Sequence, residues 1–425
     1  MKQRSLERSL RLLLLPLALL PGGLRAQGTG VYGELPLKER EVHLVESAAG
    51  LAEQFGRRGY LHPDPALGEL VRRIGRRLAP PPSDPYIEYR FHVLRDPLPN
   101  AFALPDGQVF VNTGMLASLE NEAQLATLLA HEIAHAAGHH TIQLLRASRS
   151  SLVAGSIARS YGASVALSVG GLELELDLGS GPGPEPVFAT AVMGYDRSLE
   201  EEADRHAVAS VAEAGYDVRE SPRLFEVLAL GSAGEPSAAA TEWGSPPQLR
   251  DRARTLREVV ARLGETTDLE ALTVGREAYR PLRHAVGLLT AEDLIRAERP
   301  RAAALLAWWL VADDDRDARA HYALAEALRA LGPEEATREE SLAGAREEYE
   351  RALQLDPGLA LARRGLGLVL FEQGESRGAG RELLSYLRSR PDADDKAPIL
   401  ERIEAITADL RTAEGEDRND HAKNQ

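Results

Sequence analysis

Two histidines four residues apart flank a glutamate in the run His131-Glu132-Ile133-Ala134-His135. On an α-helix, residues four apart lie one turn above each other, so both imidazoles face one cavity and can share a single Zn²⁺. Glu132 projects beside them, placed to take a proton from the water that the metal activates. The stretch leading in, Asn121 to Ala130, is rich in good helix formers and lacks Gly and Pro, so a helix is expected there. The bland alternative is two exposed histidines, because this five-residue pattern also arises by chance.

A third ligand weighs against that alternative, since a zinc hydrolase uses three protein ligands and keeps one position open for water. Glu200-Glu201-Glu202-Ala203-Asp204 lies in a second helical stretch that runs on through Val208. Glu200 and Asp204 are again four apart and share a face. Glu200 can then ligate the metal while Asp204 accepts the free N–H of a ligand histidine and fixes its tautomer. Standing alone, the run would read as a solvated acidic face. Glu201 and Glu202 point elsewhere and are read as surface or supporting residues.

The neighbouring histidines do not enlarge the site. His131, His135 and His139 form a row at four-residue spacing, but on a continuous helix His139 would stand roughly 12 Å along the axis from His131. Zinc–nitrogen bonds are only about 2.0–2.1 Å long. His139 and His140 are therefore read as structural, and His206, facing away from the Glu200 stripe, as a bystander.

The run Asn100-Ala101-Phe102-Ala103-Leu104-Pro105-Asp106-Gly107-Gln108-Val109-Phe110-Val111-Asn112-Thr113-Gly114 precedes the His131–His135 helix, and Glu200-x-x-Ala203-Asp204 follows it. Three such motifs in register resemble the CAAX-prenyl-protease and HtpX-like family of zinc metallopeptidases. The closest likeness is to its soluble, periplasmic BepA-like branch, which carries tetratricopeptide repeats. The resemblance covers roughly residues 35–260 and the repeat region beyond. It implies that His131, His135 and Glu200 bind one zinc per chain and that Glu132 is the catalytic base. It matches Arg197 to the family's usual arginine near the metal, although Asp196 replaces the common serine. It also makes a substrate-binding role for the hairpin around Asn100, Ala101 and Phe102 the favoured reading.

One departure stands out. Members of that branch carry a His-Pro pair with an arginine five residues later, where this chain reads Ser245-Pro246-Pro247-Gln248-Leu249-Arg250-Asp251-Arg252. Pro247 and Arg252 fit, and Arg252 is a candidate substrate-binding residue. Pro246, at the histidine position, can neither donate a hydrogen bond nor bind metal. If that histidine plugs the open zinc position in relatives, this chain lacks the plug. If it polarises the substrate carbonyl, this chain must use another group or run slowly.

The elements that must position these residues are mostly helical. Leu37–Phe55 reads as one helix, and Pro63–Leu78 as another with Leu67, Leu70, Val71, Ile74 and Leu78 as its apolar stripe. Tyr86–Leu94 has β character, and Phe102–Val111 reads as a hairpin turning at Pro105-Asp106-Gly107. A strand beside a metal site can hold an extended peptide by main-chain hydrogen bonds; a purely structural hairpin is the other possibility. Residues 152–170 are apolar but contain Arg159 and several Gly and Ser, so a membrane span is not expected. Leu172 to Leu178 alternate with acidic residues as in a short strand, and Gly179–Pro186 is rich in Gly and Pro. This insert, 152–186, is either a lid or an ordinary surface loop.

The 425 residues suffice for two domains, and a hydrophobic content of 44% is ordinary for a globular chain. The net charge of −15, from 50 basic and 65 acidic residues, argues against nucleic acid or anionic membrane as the main partner. With no cysteine, disulfides, thiolate chemistry and a lipoprotein anchor are all excluded. Lys2, Arg4, Arg8 and Arg11 precede an apolar run over 12–21, and Pro21-Gly22-Gly23 leads to a plausible cleavage site after Ala26. That run is far short of the about 20 residues a bilayer span needs, so it reads as an export signal to the periplasm.

From about residue 285 the chain is helical and repetitive. Pro357 and Pro391 are 34 apart, the tetratricopeptide period. Leu324, Ala325, Ala345, Tyr349 and Ala352 fit one unit, with about eight extra residues after Gly332; Leu366, Gly367, Gly374, Ala379 and Leu383 fit the next. Such units stack into a short concave solenoid that either caps the protease or docks other chains.

The expectation is a mainly α (α+β) chain: a gluzincin-type helical metalloprotease with a small β-sheet or hairpin at its cleft, then an α-solenoid. The expected boundaries are a signal peptide at 1–26, the protease at 27–275, repeats at 285–412 and a disordered tail at 413–425. The expected function is zinc-dependent endoproteolysis of unfolded or misassembled envelope proteins, with protein partners held by the repeats. The alternative is a chaperone or assembly factor with a weak or vestigial protease.

Overall fold

The computed structural model describes residues 37–81, 84–149, 166–169, 172–175, 195–231, 243, 245–331 and 338–423. The apolar run at the N-terminus, with its export reading, and most of the 152–186 insert lie outside the described residues. Of the insert, only a two-stranded hairpin is described, β4 (Ala166–Val169) against β5 (Leu172–Glu175), where alternating side chains suggested a strand.

Helices dominate, because most segments repeat their apolar residues every three or four positions. The helix expected over 37–55 is divided at Ala49-Gly50 into α1 (Glu39–Ala48) and α2 (Leu51–Arg57). In α3 (Pro65–Leu78), Asp64 caps the first turn by accepting from Ala66 N at 2.8 Å, and Pro65 sits where no N–H is needed. Its stripe, Leu67, Val71, Ile74 and Leu78, is buried.

The sheet is small and mixed. β1 (Arg90–Leu94) pairs parallel with β3 (Gln108–Asn112), and β2 (Ala101–Ala103) pairs antiparallel with the other side of β3, Phe102 opposite Phe110. β2 is therefore an edge strand. The hairpin turns at Pro105-Asp106-Gly107 as its sequence indicates. Gly107 has φ +90°, and a Cβ there would come within 2.8 Å of the Glu88 carbonyl, so only glycine fits.

Entry into β2 is set by a buried carboxylate. Asp96 accepts from Leu98 N at 2.9 Å through its side chain, while its carbonyl accepts from Thr113 Oγ1 and Gly114 N, both at 2.8 Å. Asn112 Nδ2 donates to Leu98 O at 3.3 Å, closing the loop against the start of α4 (Thr113–Ser118).

Next come α5 (Glu122–Ala137), α6 (His140–Arg149), α7 (Arg197–Glu213), α8 (Glu220–Gly231) and α9 (Pro246–Gly264). α5 is apolar nearly all round and is accordingly enclosed on every side, by α3, β2, α7 and α8.

The remaining helices are α10 (Arg276–Arg296), α11 (Pro300–Asp313), α12 (Ala318–Ala330), α13 (Arg338–Leu355), α14 (Ala360–Glu372), α15 (Ser376–Ser389) and α16 (Lys396–Lys423), each packed on the next. The core does not divide at 275–285, where the sequence suggested a boundary. One apolar cluster runs from Leu67 to Ala327 and takes in α10, α11 and one face of α12; a second runs from Ala325 to Ile406. Polar contacts fasten α10 to the first half as well: Tyr279 donates to Leu116 O at 2.7 Å, and Arg95 pairs with Asp293 at 3.0 and 3.1 Å. Sequence periodicity registers that a helix has an apolar face, not which neighbour covers it.

The tail expected to be disordered from 413 instead continues α16 through Lys423. Once a helix is nucleated, each further residue adds a hydrogen bond at little cost, so a polar composition does not by itself stop it.

Burial raises the Asp96 carboxyl to about 7. A group whose folded pKa exceeds its unfolded value stabilises the fold fully below the unfolded value of 3.8 and loses that contribution as pH rises through about 7. Asp96→Asn, which keeps an acceptor for Leu98 N, is expected to melt increasingly above wild type from pH 4 to pH 7, with a constant difference beyond. A difference in melting temperature that does not vary over this range would contradict the assignment.

Candidate metal centre

Asn121 starts α5 by accepting from Gln124 N at 2.9 Å, and Gly138 ends it, followed by His139 at φ +51°. His139 therefore leaves the helical row that its spacing suggested, and its Nε2 meets Asp84 at 2.7 Å. His131 and His135 stay on consecutive turns of α5, 3% and 2% exposed. Their Nε2 atoms converge to 2.9 Å.

α7 brings the carboxylates. Asp196 caps it, accepting from Ser198 N at 3.0 Å and Leu199 N at 3.1 Å, so aspartate does there what the family's serine could do. One turn in, Glu200 faces the histidines, with Oε2 at 3.4 Å from His131 Nε2 and Oε1 at 3.8 Å from His135 Nε2. The candidate ligand atoms of His131, His135 and Glu200 all lie within 4.8 Å of one another. Two buried imidazole nitrogens and one half-buried carboxylate oxygen, convergent, are the donor set that zinc takes in catalytic sites, so the residues fit the metal.

Behind the ligands lies a second set of contacts. Asp204 Oδ1 stands 3.0 Å from His131 Nδ1, which directs the His131 proton away from the cavity and leaves Nε2 a lone pair. Arg252, on α9, grips Asp204 bidentately, Nε to Oδ2 at 3.0 Å and Nη2 to Oδ1 at 2.8 Å, and reaches Glu200 Oε2 with Nη1 at 3.0 Å. Its guanidinium lies over the rings of Phe225 and Trp243, 4.3 and 5.5 Å from their centroids, and donates to Trp243 O at 3.0 Å. Arg252 thus stands among the candidate ligands, and its donors are committed there rather than to a substrate.

These neighbours set the charge states. Burial would depress His131, but the Asp204 and Glu200 carboxylates hold it up at about 9. A dication at the three ligand atoms would displace the proton from its Nε2. Burial and the His131 charge push His135 well below the usual histidine range. Burial opposes the ionisation of Asp204 and Glu200, yet Arg252 and His131 keep both below the ordinary carboxylate range. Glu132 is raised by burial to about 8, while its carboxylate accepts a hydrogen bond from Ala103 N. The candidate base is therefore tied directly to the edge strand.

Other assignments need correction. Arg197 does not approach the metal ligands: its side chain is 85% exposed and pairs with Glu201 at 2.8 Å. Phe102 is 1% exposed and stacks on Phe110 at 5.1 Å, and Asn100 Oδ1 accepts from Ala101 N at 2.8 Å, so neither side chain is presented to a substrate. Ala101 is buried at the edge. His206 faces Glu202, 4.0 Å away. Spacing alone did not reveal Tyr195, stacked on the His135 ring at 4.0 Å and 13°, Trp243 against His131 at 4.8 Å, or His140 behind His135. Tyr195 lies five residues before Glu200, beside the Asp196 cap, and His140 five residues after His135, where its spacing reads as structural.

With this geometry in hand, comparison with known proteins is decisive. Residues 65–260 match the model of peptidase family M48. The chain carries a peptidase M48 domain. A beta-barrel assembly-enhancing protease of Vibrio cholerae serotype O1 is 32% identical over 171 residues, 39% of this chain and 34% of that protein. The mitochondrial metalloendopeptidase OMA1 of Schizosaccharomyces pombe is 30% identical over 190 residues, 44% and 51% respectively. The beta-barrel assembly-enhancing protease of Yersinia pestis is 26% identical over 172 residues, 39% and 33%. The chain thus spans about half or less of the length of these relatives. No helix among the described residues is long and apolar enough to cross a membrane.

Glu200 and Glu202 separate the ligand from its neighbour on the same helix. Glu200→Ala is expected to lose most bound zinc, and Glu202→Ala, whose side chain is 40% exposed, to stay near stoichiometric. Metal analysis of the two purified variants decides it, and the reverse pattern would refute the register.

Proposed function

We propose that this chain is an exported zinc metalloendopeptidase of the cell envelope, acting in the periplasm on unfolded or misassembled proteins in outer-membrane protein quality control. The observation that carries the reading is the meeting of three elements: the ligand set His131, His135 and Glu200, the carboxylate Glu132, and the edge strand β2 that bonds to Glu132. Bound by those three side chains, zinc would supply a Lewis acid that polarises a peptide carbonyl and acidifies water.

The chain's own residues do the rest. Leu104 N donates to Gln108 O and Asn112 N to Asn100 O, so residues 100, 102 and 104 face β3 and the main chain of Ala101 and Ala103 faces the other way. A substrate strand laid along that edge would donate to their carbonyls, which grips any extended backbone without reading side chains. Ala103 N holds Glu132 beside the scissile bond. Glu132 accepts a proton from the attacking water and delivers it to the leaving nitrogen, and burial makes it a stronger base than a solvated glutamate. Asp204 and Arg252 are positioning residues that hold His131 and Glu200.

Glu132→Gln is expected to retain zinc and lose proteolysis of casein or another unfolded protein by at least about 10²-fold, the usual scale of a general base. Undiminished cleavage by the purified variant would sink the mechanism. The alternative reading, a chaperone with a vestigial protease, draws on Pro246. A chelator that leaves wild-type digestion unchanged, at no more than background, would favour it.

Helices α11–α16 are read as tetratricopeptide-like repeats that dock envelope partners, since a site gripping generic backbone leaves selectivity to another surface. Truncation at 280, near the start of α10, would open the shared core; truncation after Leu331 keeps α10–α12 on it. The 1–331 form is expected to keep casein cleavage and to lose envelope partners in pull-downs, and partner capture at the full-length level would place recognition in the first half.

A further inference from the structure

His140 is fully buried, and its Nδ1 lies 2.9 Å from His135 Nδ1. Two imidazole nitrogens at that distance can share only one proton. His135 Nε2 points into the ligand cluster, where a lone pair is required, so the His135 proton resides on Nδ1 and His140 Nδ1 must accept it. Two independent features hold His140 in place for this. A Cβ at Gly138 would lie 2.4 Å from His140 Nε2, and Gly138 has an ordinary helical φ of −79°, so glycine is required there for space, not for backbone conformation. Thr141, the next residue, meets the Tyr195 hydroxyl at 2.9 Å, and the Tyr195 ring covers the face of His135.

We infer that His140, seated over Gly138, is the positioning residue that fixes the tautomer and ring orientation of His135 for metal binding. The two histidine ligands are then held differently. His131 is backed by the anionic Asp204, clamped in turn by Arg252, and His135 by a neutral imidazole. A neutral acceptor draws less on the Nδ1 proton than a carboxylate does, so His135 is the weaker donor to the metal. The inference rests on the metal reading proposed above.

The test compares His140→Asn, whose side-chain oxygen can accept near the Nδ1 position, with His140→Leu, of similar shape but with no acceptor. Gly138→Ala provides the steric counterpart. Zinc affinity is measured by chelator competition, and each full-length protein is loaded with Co²⁺ to record its ligand-field absorption. His140→Leu and Gly138→Ala are expected to weaken zinc binding by about 10–100-fold with an altered Co²⁺ spectrum, the usual effect of losing such a partner. His140→Asn is expected to stay within about threefold of wild type on the same basis. A Leu variant that binds zinc like wild type would overturn the inference, as would an Asn variant that loses as much as Leu while remaining folded by circular dichroism. A wild-type chain that binds no zinc would overturn the metal reading and this inference together, whereas normal wild-type binding with an unaffected Leu variant overturns this inference alone.

Discussion

The arrangement of the site depends on one buried ionic cluster. Asp204 and His131 are buried and Glu200 is only partly exposed, and each charge would be costly there alone. Arg252 makes their burial tolerable by bonding both carboxylates at once, and the faces of Phe225 and Trp243 accept its charge where it has no hydrogen-bond partner. Removing one member of such a buried set typically costs about 3–5 kcal/mol, because the others are left uncompensated. The cluster joins α5, α7 and α9, helices whose residues lie up to 121 apart in sequence, and so it fixes their relative placement more tightly than apolar packing alone could.

That cluster also marks the limit of what the sequence disclosed. The candidate ligands and Asp204 behind them were legible because helical periodicity turns a four-residue spacing into a shared face: His131 with His135, and Glu200 with Asp204. The hairpin at Pro105-Asp106-Gly107 was legible because only glycine tolerates its backbone angle. Arg252 was marked as important but given the wrong task, since which group a long side chain reaches depends on how two helices cross. Arg197 failed for the opposite reason. It is the first residue of α7, and its long side chain turns outward to pair with Glu201. Tyr195 and His140 lie five residues from Glu200 and His135, but just outside α7 and α5, so helical spacing does not place them; Trp243 reaches His131 from a distant segment.

The same distinction explains the junction with the second half. Periodicity identified the helices beyond 285 and their repeating small residues, and Ala325, Ala345, Tyr349, Ala352, Ala379 and Leu383 are all fully buried where the pattern placed them. It could not say that α10 covers the back of α4 while α12 contributes to both cores. A solenoid hung on a linker would move independently of the protease. Here α12 packs on both sides, so the later helices are continuous with the core that also holds α5.

Pro246 reads differently once its position in the helix is known. It occupies the first turn of α9, behind a capping box in which Ser245 and Gln248 bond reciprocally, so proline there satisfies the helix without needing an N–H. The helix that delivers Arg252 is therefore well started with proline at 246. Arg252 grips Asp204 through two hydrogen bonds, and Asp204 Oδ1 stands 3.0 Å from His131 Nδ1. Pro246 thus leaves in place the helix that brings Arg252 to both Asp204 and Glu200.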